Sequence, residues 1–246
     1  MAHGGTQKIG TSGNNSHVHG GAGKDDVYGL GGKDTLHGHG GNDYLYGDSK
    51  PPGYTGNVGN PNDDDLYGGA GNDKLWGEGG NDKLYGEQDS DELHGGQGSD
   101  KLYGGAGNDK LYGEQGNDEL HGDAGNDKLY GGAGNDKLYG EQGNDDYYGG
   151  PGEDHLYGGP GADKYYFEKT EGGDIIHNFK DEDNIYLKGN YTYQGDGIDN
   201  PDNGKYSIKD EGGDKWTVSW DNADALDQAY KLTVLGDDPH NDIFFW

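Results

Sequence analysis

The chain has 246 residues, of which 54 are glycine and 7 are proline, and hydrophobic residues make up 28%. It carries 47 acidic residues against 18 basic ones, which gives a formal net charge of −29, and it contains no cysteine. As bulk numbers these values indicate disorder, and they exclude an ordinary hydrophobic core, nucleic-acid binding through a basic patch, a disulfide framework and a transmembrane helix.

The first 19 residues contain two degenerate copies of a nine-residue pattern. Ile9 and Val18 fall on the eighth, apolar position of that pattern, but the aspartate that later copies carry at the sixth position is missing. Weak terminal copies are typical of the capping repeats of solenoid proteins. The start of the chain also lacks the charged and apolar segments of a secretory signal peptide. We therefore expect residues 1–19 to cap the N-terminal end of a repeat array.

The nine-residue pattern is regular over residues 20–166. It starts at Gly20 with GGAGKDDVY, is interrupted by an insertion at about 48–62, and then runs from Gly68 to Tyr166 as eleven consecutive units. Glycines at positions one, two and four permit positive φ and close backbone approach, and asparagine at position five tolerates left-handed φ and predicts a turn cap. Strand alternation directs the eighth residue, leucine in most units, into the interior.

These units resemble the RTX nonapeptide, GGxGxDxUx, in which U is a large apolar residue. The resemblance covers residues 20–166 and implies an all-β fold, a parallel β-roll similar to a right-handed β-helix. Each unit then forms a six-residue turn and a three-residue strand, and successive strands lie on opposite sides, so that one coil takes 18 residues. A core one leucine wide is thin, and we expect another interaction to stabilise the turns.

The sixth-position aspartates are the candidates for that interaction. Stacked coils place them in columns ~4.8 Å apart, where a hard divalent cation converts carboxylate repulsion into attraction. Calcium accepts six to eight oxygen ligands in tolerant geometry, whereas magnesium demands tighter octahedra and zinc prefers His or Cys. The predicted calcium ligands are Asp25, Asp34, Asp43, Asp64, Asp73, Asp82, Asp91, Asp100, Asp109, Asp118, Asp127, Asp136, Asp145, Asp154 and Asp163. The family resemblance adds backbone carbonyls of the turns, such as those of Gly68, Ala70, Gly77, Gly79, Gly95, Gln97, Gly104, Ala106, Gly113, Gln115, Gly131 and Ala133.

The number of sites follows from pairing aspartates two units apart. The uninterrupted series from Asp64 to Asp163 gives ten pairs and Asp25 with Asp43 gives one more, which predicts about eleven calcium ions. Asp89 and Asn62 replace the fourth-position glycine, so sites at those turns are expected to be weaker or differently ligated. Because each site is built from two coils, we expect calcium binding and folding to be coupled.

Residues 167–246 contain less glycine and more β-branched and aromatic residues, which predicts a β-rich cap closing the end of the roll. Residues 171–187, EGGDIIHNFKDEDNIYL, resemble the segment that follows RTX blocks in secreted proteases and epimerases. That resemblance implies a last calcium ligand at Asp174, with Asp183 the weaker candidate. The final residues, DIFFW, resemble the acidic and apolar ending of type I secretion substrates, and an edge strand is the structural alternative.

The seventh and ninth positions form outward ladders of charged and aromatic residues. One interpretation is cross-strand ion pairing and ring stacking, and the other is a surface for glycans or a partner protein. His17, His19 and His37 fall on neighbouring strands and form a second candidate metal site.

The leading functional hypothesis is a non-enzymatic, secreted, calcium-binding RTX protein, because no catalytic motif is found. Ion binding would drive its folding after export by the type I secretion machinery. The alternatives are an adhesin or extracellular-matrix module that binds glycans or partners through its Tyr/Lys ladders, and the C-terminal module of a larger secreted enzyme.

Overall fold

The computed structural model describes residues 6–11, 17–49, 62–168, 172–187, 192–193, 205–210, 214–220, 230–239 and 242–245. The strands are β1 Thr6–Ile9, β2 His17–Gly21, β3 Asp25–Tyr28, β4 Thr35–Gly40, β5 Tyr44–Tyr46, β6 Asp65–Ala70, β7 Lys74–Gly79, β8 Lys83–Gln88, β9 Glu92–Gln97, β10 Lys101–Ala106, β11 Lys110–Gln115, β12 Glu119–Ala124, β13 Lys128–Ala133, β14 Lys137–Tyr139, β15 Asp146–Tyr148, β16 His155–Tyr157, β17 Lys164–Phe167, β18 Ile175–Phe179, β19 Asn184–Leu187, β20 Thr192–Tyr193, β21 Lys205–Asp210, β22 Lys215–Trp220, β23 Tyr230–Gly236 and β24 Ile243–Phe245. Within this described part of the chain, no helix is long and apolar enough to cross a membrane.

The strands form two sheets, and from β1 to β19 successive strands alternate between them. Sheet A contains β1 and the odd-numbered strands to β19, followed by β24, whereas sheet B contains β2 and the even-numbered strands to β18, followed by β23, β22, β21 and β20. Each strand of the repeat pairs in parallel with the strand one coil away, as Leu102 does with Leu84 and Leu120. The predicted all-β parallel roll with an 18-residue coil is therefore confirmed.

The interior of the roll is filled by the eighth residue of each unit. Leu84, Leu102 and Leu120 are fully buried in sheet B, and Leu93, Leu111 and Leu129 are fully buried in sheet A. Their neighbours at the seventh and ninth positions are partly exposed, as strand alternation requires. Each strand thus contributes one side chain to a continuous but narrow core.

Glycine is favoured for different reasons at different positions of the turn. From Gly68 onward position two lies in the left-handed region even where it is glutamate, as at Glu78 with φ 75° and Glu114 with φ 76°, and position four does so in most units. At position one, Gly104 and its equivalents lie outside that region, and the close backbone approach is the reason for glycine. Glycine is required there because a Cβ at Gly104 would lie 2.5 Å from Asp109 Oδ2 and 2.9 Å from the Gly122 carbonyl oxygen.

The first degenerate unit differs from its predicted register. Val18 pairs with Leu36 and is buried, as its eighth-position assignment requires. Ile9, however, pairs with Tyr28, a ninth-position residue, while Lys8 pairs with Val27. A register change of one residue moves a side chain to the other face of the sheet, so Ile9 is 44% exposed. In the sequence this unit lacks the sixth-position aspartate and the glycines of positions one and two that later units carry.

Both sheets continue across the insertion and beyond the repeat. Strand β4 pairs with β6 and β5 pairs with β7, while most of the predicted insertion, residues 50–61, lies outside the described residues. After residue 166, β18 and β19 extend sheets B and A in parallel register, and β24 then pairs with β19. Strand β23 continues sheet B by pairing in parallel with β18. Strands β22 and β21 then extend the sheet through antiparallel pairs.

Candidate metal centre

Two columns of buried aspartates follow the turns on the two sides of the roll. In each column the backbone N–H of one aspartate donates to Oδ1 of the aspartate in the next coil, at 2.6–3.0 Å. Column A contains Asp25, Asp43, Asp73, Asp91, Asp109, Asp127, Asp145, Asp163 and Asp183. Column B contains Asp34, Asp64, Asp82, Asp100, Asp118, Asp136, Asp154 and Asp174.

The columns contain more pairs than the repeat spacing predicts. Asp34 pairs with Asp64 and Asp43 with Asp73 across the insertion, although each pair is separated by 30 residues. At the other end Asp154 pairs with Asp174 and Asp163 with Asp183, each separated by 20 residues. Asp183 joins column A through its Oδ1, while its Oδ2 accepts the N–H of Lys180 at 3.0 Å, and its spacing of nine residues from Asp174 was the signal for it in the sequence. The described residues therefore form fifteen pairs where eleven were predicted.

The second carboxylate oxygen decides the chemistry of the columns. Oδ2 is buried and has no hydrogen-bond partner among the described residues in Asp43, Asp64, Asp73, Asp82, Asp91, Asp100, Asp109, Asp118, Asp127, Asp136, Asp145, Asp154 and Asp163. An ionised carboxylate removed from water without compensation is strongly unfavourable, so these oxygens require a proton or a cation. Repeated pairs of bare carboxylate oxygens fit a hard cation such as calcium.

Burial is the largest cause of the raised pKa values of the column aspartates. It raises the pKa of Asp91 to about 8, and repulsion by the carboxylates of Asp73 and Asp109 adds to it, while the N–H bond from Asp73 opposes it. Burial likewise raises the pKa of Asp127 to about 8 and that of Asp64 to about 9. A bound divalent cation would reverse this effect, because its charge favours the ionised carboxylate.

The predicted carbonyl ligands fall into two groups. First-position carbonyls lie beside the aspartate of the preceding coil: the oxygens of Gly95 and Gly104 lie 2.8 and 2.5 Å from a Cβ built on Gly77 and Gly86, which would also contact Asp82 and Asp91. Third-position carbonyls accept N–H bonds from fourth-position glycines, as Gln97 does from Gly80 and Gln115 from Gly98. A carbonyl oxygen has two lone pairs, so this bond leaves one acceptor position.

The two irregular fourth-position residues keep the geometry of the turn. Asp89 adopts φ 73°, the left-handed conformation that glycine has in other units, and aspartate tolerates this better than most residues. Asp91, which follows it, retains both column bonds, at 2.7 and 2.8 Å. Asn62 occupies the corresponding place beside Gly80. Weaker calcium sites at these turns remain a prediction.

Fifth-position side chains form a second hydrogen-bonded ladder, which runs in the opposite direction. The N–H of Asn126 donates to Oδ1 of Asn108 in the preceding coil at 2.8 Å, and Asn144 donates to Asn126 in the same way. The predicted turn cap is therefore a bond between coils, and asparagine here does not have positive φ. The backbone N–H of the aspartate thus donates to the following coil, and that of the asparagine donates to the preceding coil.

The outer faces show stacking and ion pairing. Ninth-position rings stack along sheet A from Tyr28 to Phe244 with centroids 4.5–5.5 Å apart. Seventh-position pairs include Lys74–Glu92 at 2.7 Å and Lys101–Glu119 at 2.9 Å. Because each ring face packs on another ring, the ladder presents ring edges rather than a flat platform for sugars.

The histidine candidates lie together but do not converge on a metal. His19 and His37 stack with centroids 4.7 Å apart, and His19 Nδ1 lies 3.0 Å from Nε2 of His39. Among the described residues no group of three or more His, Asp or Glu side chains is arranged to hold an ion. These imidazoles are members of the ninth-position ladder and its edge.

The family follows from this arrangement of turns and from the comparison with known families. The model of the RTX calcium-binding nonapeptide repeat matches residues 19–49, 58–93, 85–120, 112–147, 121–156 and 143–168, which is more than half of the chain. The chain belongs to this family. Repeats of this family bind calcium, so the RTX roll described here is a calcium-binding repeat module.

Two solved structures illustrate the similarity to known proteins. The crystal structure of the extracellular lipase LipA of Serratia marcescens is 15% identical over 92% of this chain and 39% of the lipase chain, with a TM-score of 0.37. The solution structure of a subunit of the Azotobacter vinelandii mannuronan C5-epimerase is 26% identical over 65% of this chain and 78% of that chain, with a TM-score of 0.22. The chain thus spans well under half the length of the lipase. No relative was found among curated proteins.

Proposed function

We propose that this RTX chain is a non-enzymatic, secreted module that binds calcium between its coils and folds as it does so. The observation that carries this proposal is the two columns of buried aspartates, in which thirteen Oδ2 atoms have no hydrogen-bond partner among the described residues. The column aspartates would hold the ions together with the first- and third-position carbonyls. The ions would supply the positive charge that the buried carboxylates lack.

Folding and binding are coupled because no site exists within one coil. Each pair joins residues that are 18 residues apart or more, so the ligands come together when the strands pair. We propose one ion for each of the fifteen pairs, which replaces the estimate of eleven. Fifteen divalent ions carry about +30, close to the formal −29 of the chain.

The same coupling suits export of an unfolded chain. Affinities of extracellular calcium modules are on the order of 10⁻⁴–10⁻³ M, which would leave the chain unfolded at cytosolic calcium and folded outside the cell. We propose type I secretion with the signal at residues 242–246. In this proposal residues 1–19 cap the repeat of residues 20–166, and residues 167–246 close the other end.

A calcium titration followed by far-UV circular dichroism tests the proposal. In excess chelator we expect the spectrum of a disordered chain, and calcium should restore strand signal cooperatively. Magnesium at equal concentration is the control, because it retains its waters and prefers tighter octahedra. Full strand signal in chelator at neutral pH, or equal folding with magnesium, would contradict the proposal.

Export requires its own experiment. The full chain and a chain lacking residues 242–246 are expressed in cells with a type I transporter, and the protein in the medium is measured. We expect the deletion to abolish export while the purified protein still folds with calcium. Equal export of the two chains would remove the signal from the proposal and leave calcium-dependent folding intact.

A further inference from the structure

The core of the roll changes chemistry in two coils near its C-terminal end. At the eighth position of sheet A, leucine is replaced by tyrosine at Tyr147 and Tyr165, and both side chains are fully buried. Their rings stack with centroids 4.8 Å apart. A buried phenol hydroxyl needs a partner, since its desolvation costs free energy that leucine avoids. The partner of each hydroxyl therefore indicates what the tyrosine does.

Both hydroxyls lie beside a column aspartate, since a Cβ built on Gly140 would contact Tyr147 Oη and Asp145 Oδ2, but the two hydroxyls differ in their hydrogen bonding. Tyr147 donates to the carbonyl oxygen of Tyr157 at 2.9 Å, so its hydroxyl is satisfied within the protein. Tyr165 Oη is buried and has no hydrogen-bond partner among the described residues. Inside a packed core, such an atom indicates a group that is bound there.

Tyr165 Oη is directed into a calcium turn. A Cβ built on Gly158 would contact both Tyr165 Oη and Asp163 Oδ2, so the two oxygens converge on one place beside the first-position glycine. Asp163 Oδ2 also has no partner, which means that the hydroxyl does not donate to it. Two buried oxygens that converge without bonding each other are arranged as ligands of a shared cation.

The phenol is suited to that role as a neutral ligand. The ordinary pKa of a tyrosine hydroxyl is about 10, well above neutral pH. The side chain is therefore a neutral phenol at neutral pH, and its lone pairs add an oxygen without adding negative charge. Calcium accepts such an oxygen, because its coordination number varies between six and eight.

We propose that Tyr165 Oη is a direct calcium ligand at the Asp163 turn, which makes this site different from those lined by leucine. The proposal rests on the proposed calcium binding by column A. In the leucine coils the interior supplies no oxygen, so their ions depend on the turns alone. The tyrosine would make the C-terminal sites of column A tighter and would anchor the end of the roll next to the cap.

The test compares Tyr165→Phe with Tyr130→Phe in the full chain. The first change removes the buried oxygen, and the second removes a hydroxyl from the outer ladder. Starting from saturation, calcium is lowered while NMR follows the amides of Gly158, Asp163 and Asp183, with those of Asp91 and Asp109 as internal references. Equilibrium dialysis with metal analysis counts the bound ions.

For Tyr165→Phe we expect the amides around Asp163 to require about tenfold more calcium, the scale of loss seen for weakened metal sites. The reference amides and Tyr130→Phe should behave as in the unaltered chain. Unchanged calcium dependence at Asp163 in Tyr165→Phe would overturn the proposal and indicate that the hydroxyl binds water. Failure of the unaltered chain to bind calcium would instead overturn the proposed function.

A second variant separates the oxygen from the packing of the ring. If Tyr165→Phe does not fold at any calcium concentration, Tyr165→Leu restores the residue found in the other coils. Weakened calcium binding at the Asp163 turn in Tyr165→Leu supports the proposal. Folding with unaltered calcium dependence overturns it.

Discussion

The repeat and the C-terminal segment build the same two sheets from different interactions. In the repeat each strand buries one leucine, and the space between turns is taken by carboxylates that lack a counter-charge. In the C-terminal segment the described buried apolar residues are Phe167, Ile176, Phe179, Ile185, Leu187, Val218, Leu232 and Val234, and the described residues after Asp183 add no member to the columns. We therefore expect the stability of the first region to depend on bound ions and that of the second on apolar burial.

Removal of calcium should separate the two regions most strongly. In excess chelator we expect amides of β7 to β13 to lose hydrogen-exchange protection, because their turns would hold unpaired buried charge. Amides of β22 and β23 should keep more protection, since antiparallel pairing and apolar packing hold them. Hydrogen exchange with mass spectrometry measures this, and equal loss in both regions would show that the cap has no stability of its own.

Acid should partly replace calcium in the repeat. The folded-state pKa values, about 6 for Asp109 and about 8 for Asp91 and Asp127, lie above the ordinary value of 3.8. The calcium-free folded chain therefore binds more protons than the unfolded chain, and its stability rises as the pH falls from about 8 towards 4. That stability is complete below 3.8 and is lost as the pH rises through the folded values.

Circular dichroism in chelator between pH 8 and pH 4 checks this prediction. Strand signal should appear as the solution is acidified. With calcium present the dependence should reverse, because protons compete with the ion for the same oxygens. A calcium-free spectrum that does not change over this range would contradict the assignment of buried, uncompensated carboxylates.

The position of an aspartate within a column should determine how strongly its loss weakens calcium-dependent folding. Asp109 belongs to two pairs, with Asp91 and Asp127, whereas Asp25 belongs to one pair, with Asp43. We expect Asp109→Ala to raise the calcium needed for half-folding by about tenfold or more and Asp25→Ala to raise it less. Calcium titrations of both variants provide the measurement, and equal shifts would argue against ions shared between adjacent coils.

Shortening a buried side chain in the C-terminal segment should destabilise the protein through lost packing alone. Leu232 is fully buried in β23, and we expect Leu232→Ala to cost about 2–5 kcal/mol in urea unfolding at saturating calcium. The number of bound ions should not change. Phe244→Ala, at a residue that is 42% exposed, is the control and should have a small effect. Loss of bound calcium in Leu232→Ala would show that the cap contributes to the sites.

The smallest effect is expected on the outer face of the repeat. Lys101→Gln breaks the pair with Glu119, both partly exposed, and should cost about 0.2–1 kcal/mol. Lys83→Gln, at the preceding position of the same ladder, is the matched control. Urea unfolding at two salt concentrations measures the difference, and a loss that is larger and independent of salt would indicate a role beyond surface ion pairing.

The nine-residue phase of the sequence determined the family, the inward leucines, the 18-residue coil and the aspartates of the regular units. It could do so because turn and strand alternate within a single unit, so that local conformation decides which residue faces inward. The bulk composition indicated disorder because it takes no account of the order of the residues. When glycine and aspartate recur every nine residues, the glycines form the turns and the aspartates form the columns.

Tertiary structure decided what depends on contacts between coils. Pairing of Asp34 with Asp64 across the insertion, and of Asp163 with Asp183 beyond the repeat, requires strands to align after unequal loops. The exposed position of Ile9 depends on the register that β1 adopts on β3. The unpartnered hydroxyl of Tyr165 beside Asp163 arises because a long side chain crosses the interior to a turn. Periodicity identifies which side chains enter the roll, but packing alone determines which atoms they meet there.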